Sequence, residues 1–309
     1  NLMAAIERRR TIGLDRLIHI EWLDATAGRL AAGDSPEDAR KFVWELLEGV
    51  VAGKTAQSAR GKTLTVLARV WLRPPGEASD LRDRVLRVIG SCSADERLAL
   101  HWALFAAAYP FFVDVAGAVG KVLSLHGEIA LSQLTRRIVE VWGDRSTLRP
   151  AVQRLMRSMI QWGALRDGPK PGIYLAPSKK IVATGSVAEL LIEGFLVTAQ
   201  AGLPLSQLVS YPAAFPFEIR PDLAALRRSE RLRVHRQGDQ TDIVERLKSQ
   251  TVVRPPAVTP KKQELLATSA GPKKRTNPKG RGSEVSTPAR KTRTRAKQPD
   301  PSRQLTMLR

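Results

Sequence analysis

The stretch LRPAVQRLMRSMIQWGALRDGPKPGIYL, residues 148–175, decides how the rest of the chain is read. At about 100° per residue, Leu148, Val152, Leu155, Met156, Met159 and Ile160 fall in one sector centred near Val152. Arg154, Arg157 and Gln161 turn the other way. That division predicts a helix with one face in a core and one face open. Trp162 and Gly163 end it. Residues 164–166 suit a short strand, 167–172 (DGPKPG) are turn formers, and 173–175 suit the returning strand. Pro150 is harmless if the helix begins beside it, but a start at Ser146 would leave a backbone bond unmade.

Two further helices are expected upstream, one on Val115, Val119, Val122 and Leu123, the other on Leu131, Leu134, Ile138 and Val141, broken at Gly143. Helix, helix, short break, helix and hairpin is the order of a winged helix-turn-helix, expected over residues 113–180. Arg145, Thr147 and Arg149 sit at the start of the third helix, the end that enters a major groove in such folds. Gln153, Arg154 and Arg157 lie further along it, and Lys170 stands at the tip of the hairpin turn. The planar fork of Arg suits guanine edges or phosphates, so these seven residues are the candidate DNA contacts of the folded part. The same fold also docks protein partners, and an Arg-rich face is often simply solvated.

The expected fold is mainly α, with an N-terminal helical domain over 1–112 and a helical and hairpin subdomain over 181–250. Leu14, Leu17, Ile18 and Trp22 repeat at helical spacing up to Gly33. Asp34 or Ser35 before Pro36 reads as a helix cap, and Ser93 with Glu96 as a capping box. Residues 186–200 read as an amphipathic helix and 231–244 as a second hairpin. Arg60, Lys62 and Arg69 read as an exposed basic group.

From residue 251 to 309 the pattern dies into Pro, Lys, Arg, Ser and Thr without an aromatic residue, so this segment is expected to be disordered. The chain carries a net charge of +20 over 309 residues, and residues 254–309, with 15 Lys+Arg against 3 Asp+Glu, hold +12 of it. Such a balance favours polyanion partners. Lys273, Lys274 and Arg275, then Lys279 and Arg281, then Arg290, Lys291, Arg293 and Arg295 are the candidate backbone contacts of the tail.

The block HWALFAAAYPFF (101–112), followed by a helix, the helix pair and LRPAVQRLMRSMIQWGALRD (148–167), resembles the BREX phage-defence protein A family in order and spacing. The resemblance covers about 40% of the chain, from residue 59 to 176. It implies a non-enzymatic, DNA-binding component of a bacterial anti-phage system. The long N-terminal helical region and the basic tail depart from that family.

Other chemistry is not encoded in any recognisable motif. Gly53–Lys54–Thr55 and Gly61–Lys62–Thr63 lack the earlier glycine of a phosphate loop, with Glu48 and Ala56 in its place. His126 and Glu128 give half of a zinc-deaminase motif, but a single cysteine, Cys92, cannot supply the rest. No enzyme activity, cofactor or metal is expected. His101 reads as a core histidine. No apolar run reaches the roughly 20 residues of a membrane span, and the charges within residues 6–17 argue against a signal peptide. An upstream start is expected because residue 1 is Asn. The resulting expectation is a cytoplasmic, nucleoid-associated DNA-binding accessory protein, with RNA and protein partners left open. The alternative is a scaffold whose winged helix docks a protein while the tail holds nucleic acid.

Overall fold

A computed structural model of the chain describes residues 12–238 and 241–247. Helices α1 (Ile20–Ala31), α2 (Pro36–Leu46) and α3 (Ala59–Leu67) come first, and α3 runs on into a π-helical turn at Ala68–Leu72. Helix α4 (Ala78–Val88) is followed by two apolar helices, α5 (Ala94–Ala108) and α6 (Pro110–His126). Next are β1 (Glu128–Ala130), α7 (Leu131–Trp142), α8 (Leu148–Gln161), β2 (Arg166–Asp167) and β3 (Ile173–Leu175). Then come β4 (Ile181–Thr184), α9 (Gly185–Ala199), β5 (Leu203–Pro204), α10 (Leu205–Val209), β6 (Phe217–Arg220), α11 (Leu223–Arg228), β7 (Leu232–Gln237) and β8 (Thr241–Arg246). The described part is mainly helical with small sheets, as the sequence predicts. The sheets are ordered β1-β3-β2, β4-β6 and β5-β8-β7, and only the β4-β6 pair is parallel.

Local chemistry sets the helix ends. Ser35 Oγ accepts from Asp38 N at 3.1 Å with Pro36 in the first turn. At α5, Ser93 N donates to Glu96 Oε2 at 2.8 Å and Glu96 N donates back to Ser93 Oγ, closing the capping box. Tyr109 precedes Pro110 and is therefore driven out of the helical region, to φ −132° and ψ 99°. Helices α5 and α6 consequently meet at a bend of 120°, and no single described helix is long and apolar enough to cross a membrane.

One core serves the whole described chain. Trp102 of α5 is its hub, with ring centroids 4.8 Å from Phe112, 5.4 Å from Phe217 and 6.2 Å from Trp162. These partners come from α6, β6 and the end of α8. The borders expected near residues 112 and 180 thus fall inside a continuous core, and the described residues belong to one compact unit. Helix α9 packs across α5 at Gly194, where a Cβ would stand 2.8 Å from Ala103 Cα. Glycine is what lets the two backbones meet.

The helix expected to begin near Leu14 begins instead at Ile20. Residues 12–19 form a non-helical strap lying against α8. Ile18 N donates to Ser158 Oγ at 2.9 Å, Trp162 Nε1 donates to Ile18 O at 2.9 Å, and Ile20 N donates to Gln161 Oε1 at 2.7 Å. Backbone groups that a helix would have paired locally are satisfied by side chains about 140 residues away. The helical spacing of Leu14 and Ile18 reports burial, and both are buried, but not conformation. Two of the expected surface cations also differ. Arg60 is buried, donates through Nε to Trp44 O at 2.7 Å and stacks on the Trp44 ring, while Arg69 Nε donates to Ala108 O at 3.2 Å beside Tyr109.

His101 is the core histidine that the sequence predicts. It is buried, edge-on to Trp71, with Nε2 2.9 Å from Asp24 Oδ1. Burial pushes its pKa below the ordinary 6.5, against the pull of Asp24. The Asp24 carboxyl is raised by its own burial, but the hydrogen bonds from His101 and Arg97 outweigh this and hold it below 3.8. Both groups bind protons less readily folded than unfolded, so acid must destabilise the fold. The loss from His101 begins as pH falls below 6.5, the loss from Asp24 below 3.8. Urea midpoints measured from pH 8 down to pH 5 should fall, and H101Q should remove a large part of that slope. An unchanged slope in the variant would show that His101 is not its source.

Candidate nucleic-acid interface

The segment around α7, α8 and the β2–β3 hairpin is set apart by its charge. Residues 113–180 hold 11 Lys+Arg and 5 Asp+Glu, a net of +6. Residues 12–112 hold 13 of each, and residues 181–247 hold 7 basic and 8 acidic residues. The positive excess of the described part therefore lies in this one segment.

Its geometry follows from three ties. Strand β1 pairs with β3 in the register Ile129↔Tyr174, and β2 pairs with β3 on the other side, Arg166↔Leu175. Leu131 N, at the start of α7, donates to Gly172 O at 2.8 Å in the hairpin turn. Helix α8 starts at Leu148, so Pro150 sits in its first turn, where backbone N–H groups have no partner in any case. Gly163, at φ +76°, then turns the chain out of α8 toward β2. The starts of α7 and α8 and the hairpin turn border an open surface cleft of about 770 Å³. Arg136, Arg149 and Gln153 line it, with Thr135 and Ser132 beside them and Pro150 and Ile173 as apolar wall.

No family model, curated protein or solved structure matches the chain. Of the seven candidates in the folded part, Arg149 and Gln153 are exposed and face the cleft. Lys170 is exposed in the turn, where its carbonyl accepts from Ile173 N at 3.1 Å. Thr147 is exposed at the N-cap position and makes no side-chain cap bond. Arg145 is exposed in the loop before α8 and donates to Trp142 O at 3.2 Å. Arg157 is exposed and pairs with Asp167 of β2 at 3.0 Å.

Arg154 differs from expectation. It is half-buried, and its Nη1 donates to Asp15 O in the strap at 3.0 Å. The flank of α8 that carries Arg154, Ser158 and Gln161 is thus covered by residues 15–20, and the open face narrows to the row Arg149, Gln153 and Arg157. Sequence reasoning missed Arg136, exposed on α7 across the cleft from Arg149. Its signal was the pair Arg136–Arg137 opposite the apolar stripe Leu134 and Ile138. The tail candidates, Lys273, Lys274, Arg275, Lys279, Arg281, Arg290, Lys291, Arg293 and Arg295, lie outside the described residues. Among the described residues no group of three or more His, Cys, Asp or Glu is placed to hold a metal ion.

Proposed function

We propose that the chain is a non-enzymatic DNA-binding protein in which residues 113–180 act as a winged helix and the basic tail adds phosphate contacts. The observation that carries the reading is the cleft: Arg136, Arg149 and Gln153 line it from two helices, beside a hairpin tipped by Lys170, in the segment that holds the positive excess of the described residues. The order helix, strand, helix, helix, hairpin, with the first strand paired to the last, supports the fold assignment. The resemblance to the BREX protein A family supports a place in a bacterial defence system. A second reading, in which the segment docks a protein partner, draws on Leu125 and Val141, apolar side chains exposed by 76% and 64% near the ends of α6 and α7.

Salt tests the first reading. Each phosphate neutralised contributes about −0.9 to the log–log slope on duplex DNA. With the cleft cations and the tail engaged, the slope between about 50 and 200 mM salt should be about −4 or steeper. A chain ending at Gln250 should still bind, with a shallower slope. A flat response of the full chain sinks the polyanion reading, and loss of all binding without the tail hands the folded part to the protein-docking alternative.

A further inference from the structure

We infer that the outer edge of β7 is a docking site for an extended acidic segment of a partner protein, taken up as an added strand; the inference is independent of the nucleic-acid reading. Strand β8 is the centre of the sheet β5-β8-β7, so β7 is an edge. The hairpin register runs Leu232↔Arg246, Val234↔Val244 and Arg236↔Asp242. Leu247 N donates to Arg231 O at 2.7 Å, which aims Arg231 at the β8 side. Successive residues of a strand aim their amide groups to opposite sides. Arg233, His235 and Gln237 therefore face β8 as well, while Leu232, Val234 and Arg236 face away from it. Ser229 Oγ accepts from Leu232 N at 3.3 Å. Among the described residues no group bonds to the N–H or C=O of Val234 or Arg236 on that open side. Such an edge is a template for a further strand.

The edge is fixed before any partner arrives. Arg231 pairs with Asp80 of α4 at 2.9 Å, Arg246 ties β8 to Glu193 of α9 at 3.0 Å, and Leu232 and Val244 are buried behind the hairpin. A preformed edge needs no ordering of its own on binding. Charge then decides the occupant. Strand β7 carries Arg233, His235 and Arg236 and no acidic residue. The side chains of Arg233 and Arg236 are 63% and 61% exposed, and the carboxylates nearest them, Glu245 at 3.3 Å and Asp242 at 3.9 Å, belong to β8 and are less exposed. Ion pairs open to solvent on one side are weak, so both guanidinium groups can turn to a carboxylate on a strand laid beside β7. A second copy does not fit. Two β7 edges paired antiparallel about Val234 would set Arg233 of one copy opposite His235 of the other, with no acidic residue among them, and like charges facing across strands destabilise a sheet. The chain's own basic tail is refused on the same ground. A foreign strand with Glu or Asp beside Arg233 and Arg236 meets the edge in both hydrogen bonding and charge.

The test uses the full chain and a labelled synthetic peptide long enough to span β7, alternating glutamate with valine and threonine. Its control is the same peptide N-methylated throughout, which keeps the charge and loses every donor to a ladder. Anisotropy titrations should give the unmethylated peptide an affinity higher by about tenfold or more. On saturation, amide hydrogen exchange should slow at Val234 and Arg236. Val234→Pro removes an outward N–H and no bond to β8, a change that edge strands tolerate, and should lower affinity by about tenfold. R233E, which leaves every backbone donor in place, should lower it as well and keeps the test decisive if the proline variant fails to fold. Equal affinity for the methylated peptide, or unslowed exchange at Val234 and Arg236, overturns the inference, because the net charge of +20 would then be what holds the peptide. Failure of the unmethylated peptide to bind overturns it too, as does self-association of the chain that R233E changes.

Discussion

Reversing the charge of Arg136 and Arg149 together, to Glu, is expected to weaken duplex DNA binding about 100-fold in a chain ending at Gln250, with no change in melting. Both side chains are exposed on the cleft, and surface changes of this kind rarely shift stability by more than about 0.5 kcal/mol. A lost contact to a base edge or phosphate costs about 1–3 kcal/mol, and every 1.4 kcal/mol or so is a factor of ten. Ending the chain at Gln250 keeps the basic tail from masking the change. Arg154→Glu should behave differently. Its guanidinium donates to Asp15 O, so the reversal removes a tie between α8 and the strap and is expected to lower stability by about 1–2 kcal/mol. If the double variant binds duplex DNA as tightly as the unchanged chain, the cleft is not the binding surface.

Glu193→Leu is expected to cost about 3–5 kcal/mol of stability. Glu193 is fully buried in α9. Its Oε1 accepts from Arg246 Nε of β8 at 3.0 Å, and its Oε2 pairs with Arg84 of α4. Arg246 is itself only 5% exposed and reaches Glu77 as well. Leucine removes the carboxylate that Arg84 and Arg246 share, and leaves Arg84 desolvated without a carboxylate and Arg246 with Glu77 alone. The penalty is therefore mainly that of Arg84, left without its carboxylate, and of Arg246, left with Glu77 alone, and not of the lost attraction. Urea unfolding would measure it. A variant within about 1 kcal/mol of the parent would mean that water reaches these guanidinium groups and that the network does not hold β8 in place.

Much of this fold is legible in the sequence itself. The caps at Ser35 and Ser93, the helix over residues 148–161 and both hairpins follow from short-range chemistry, and short-range chemistry is written locally in the sequence. What was not legible depends on distant partners. The strap has helical spacing, yet Ser158, Gln161 and Trp162 take its backbone groups. Strand β1, three residues long, exists because β3 offers an edge to it. Arg60 looks like a surface cation until Trp44 covers it. The site was half visible for the same reason. Arg149, Gln153 and Lys170 follow from helix and turn position alone, whereas the loss of Arg154 and the gain of Arg136 depend on what packs beside α8.

The strap also has a consequence in time. Ile18 and the Ser158 hydroxyl that holds it are separated by 140 residues. At the usual pace of synthesis, roughly 5–20 residues per second, that gap is roughly 7–28 seconds on the ribosome. Throughout it the apolar side chains of Leu14 and Ile18 have no α8 to meet. A segment made 140 residues earlier therefore waits for the helix that seats it. A nascent chain stalled before residue 158 should carry these side chains open to chaperones, and completion of the α8 flank should be what releases it.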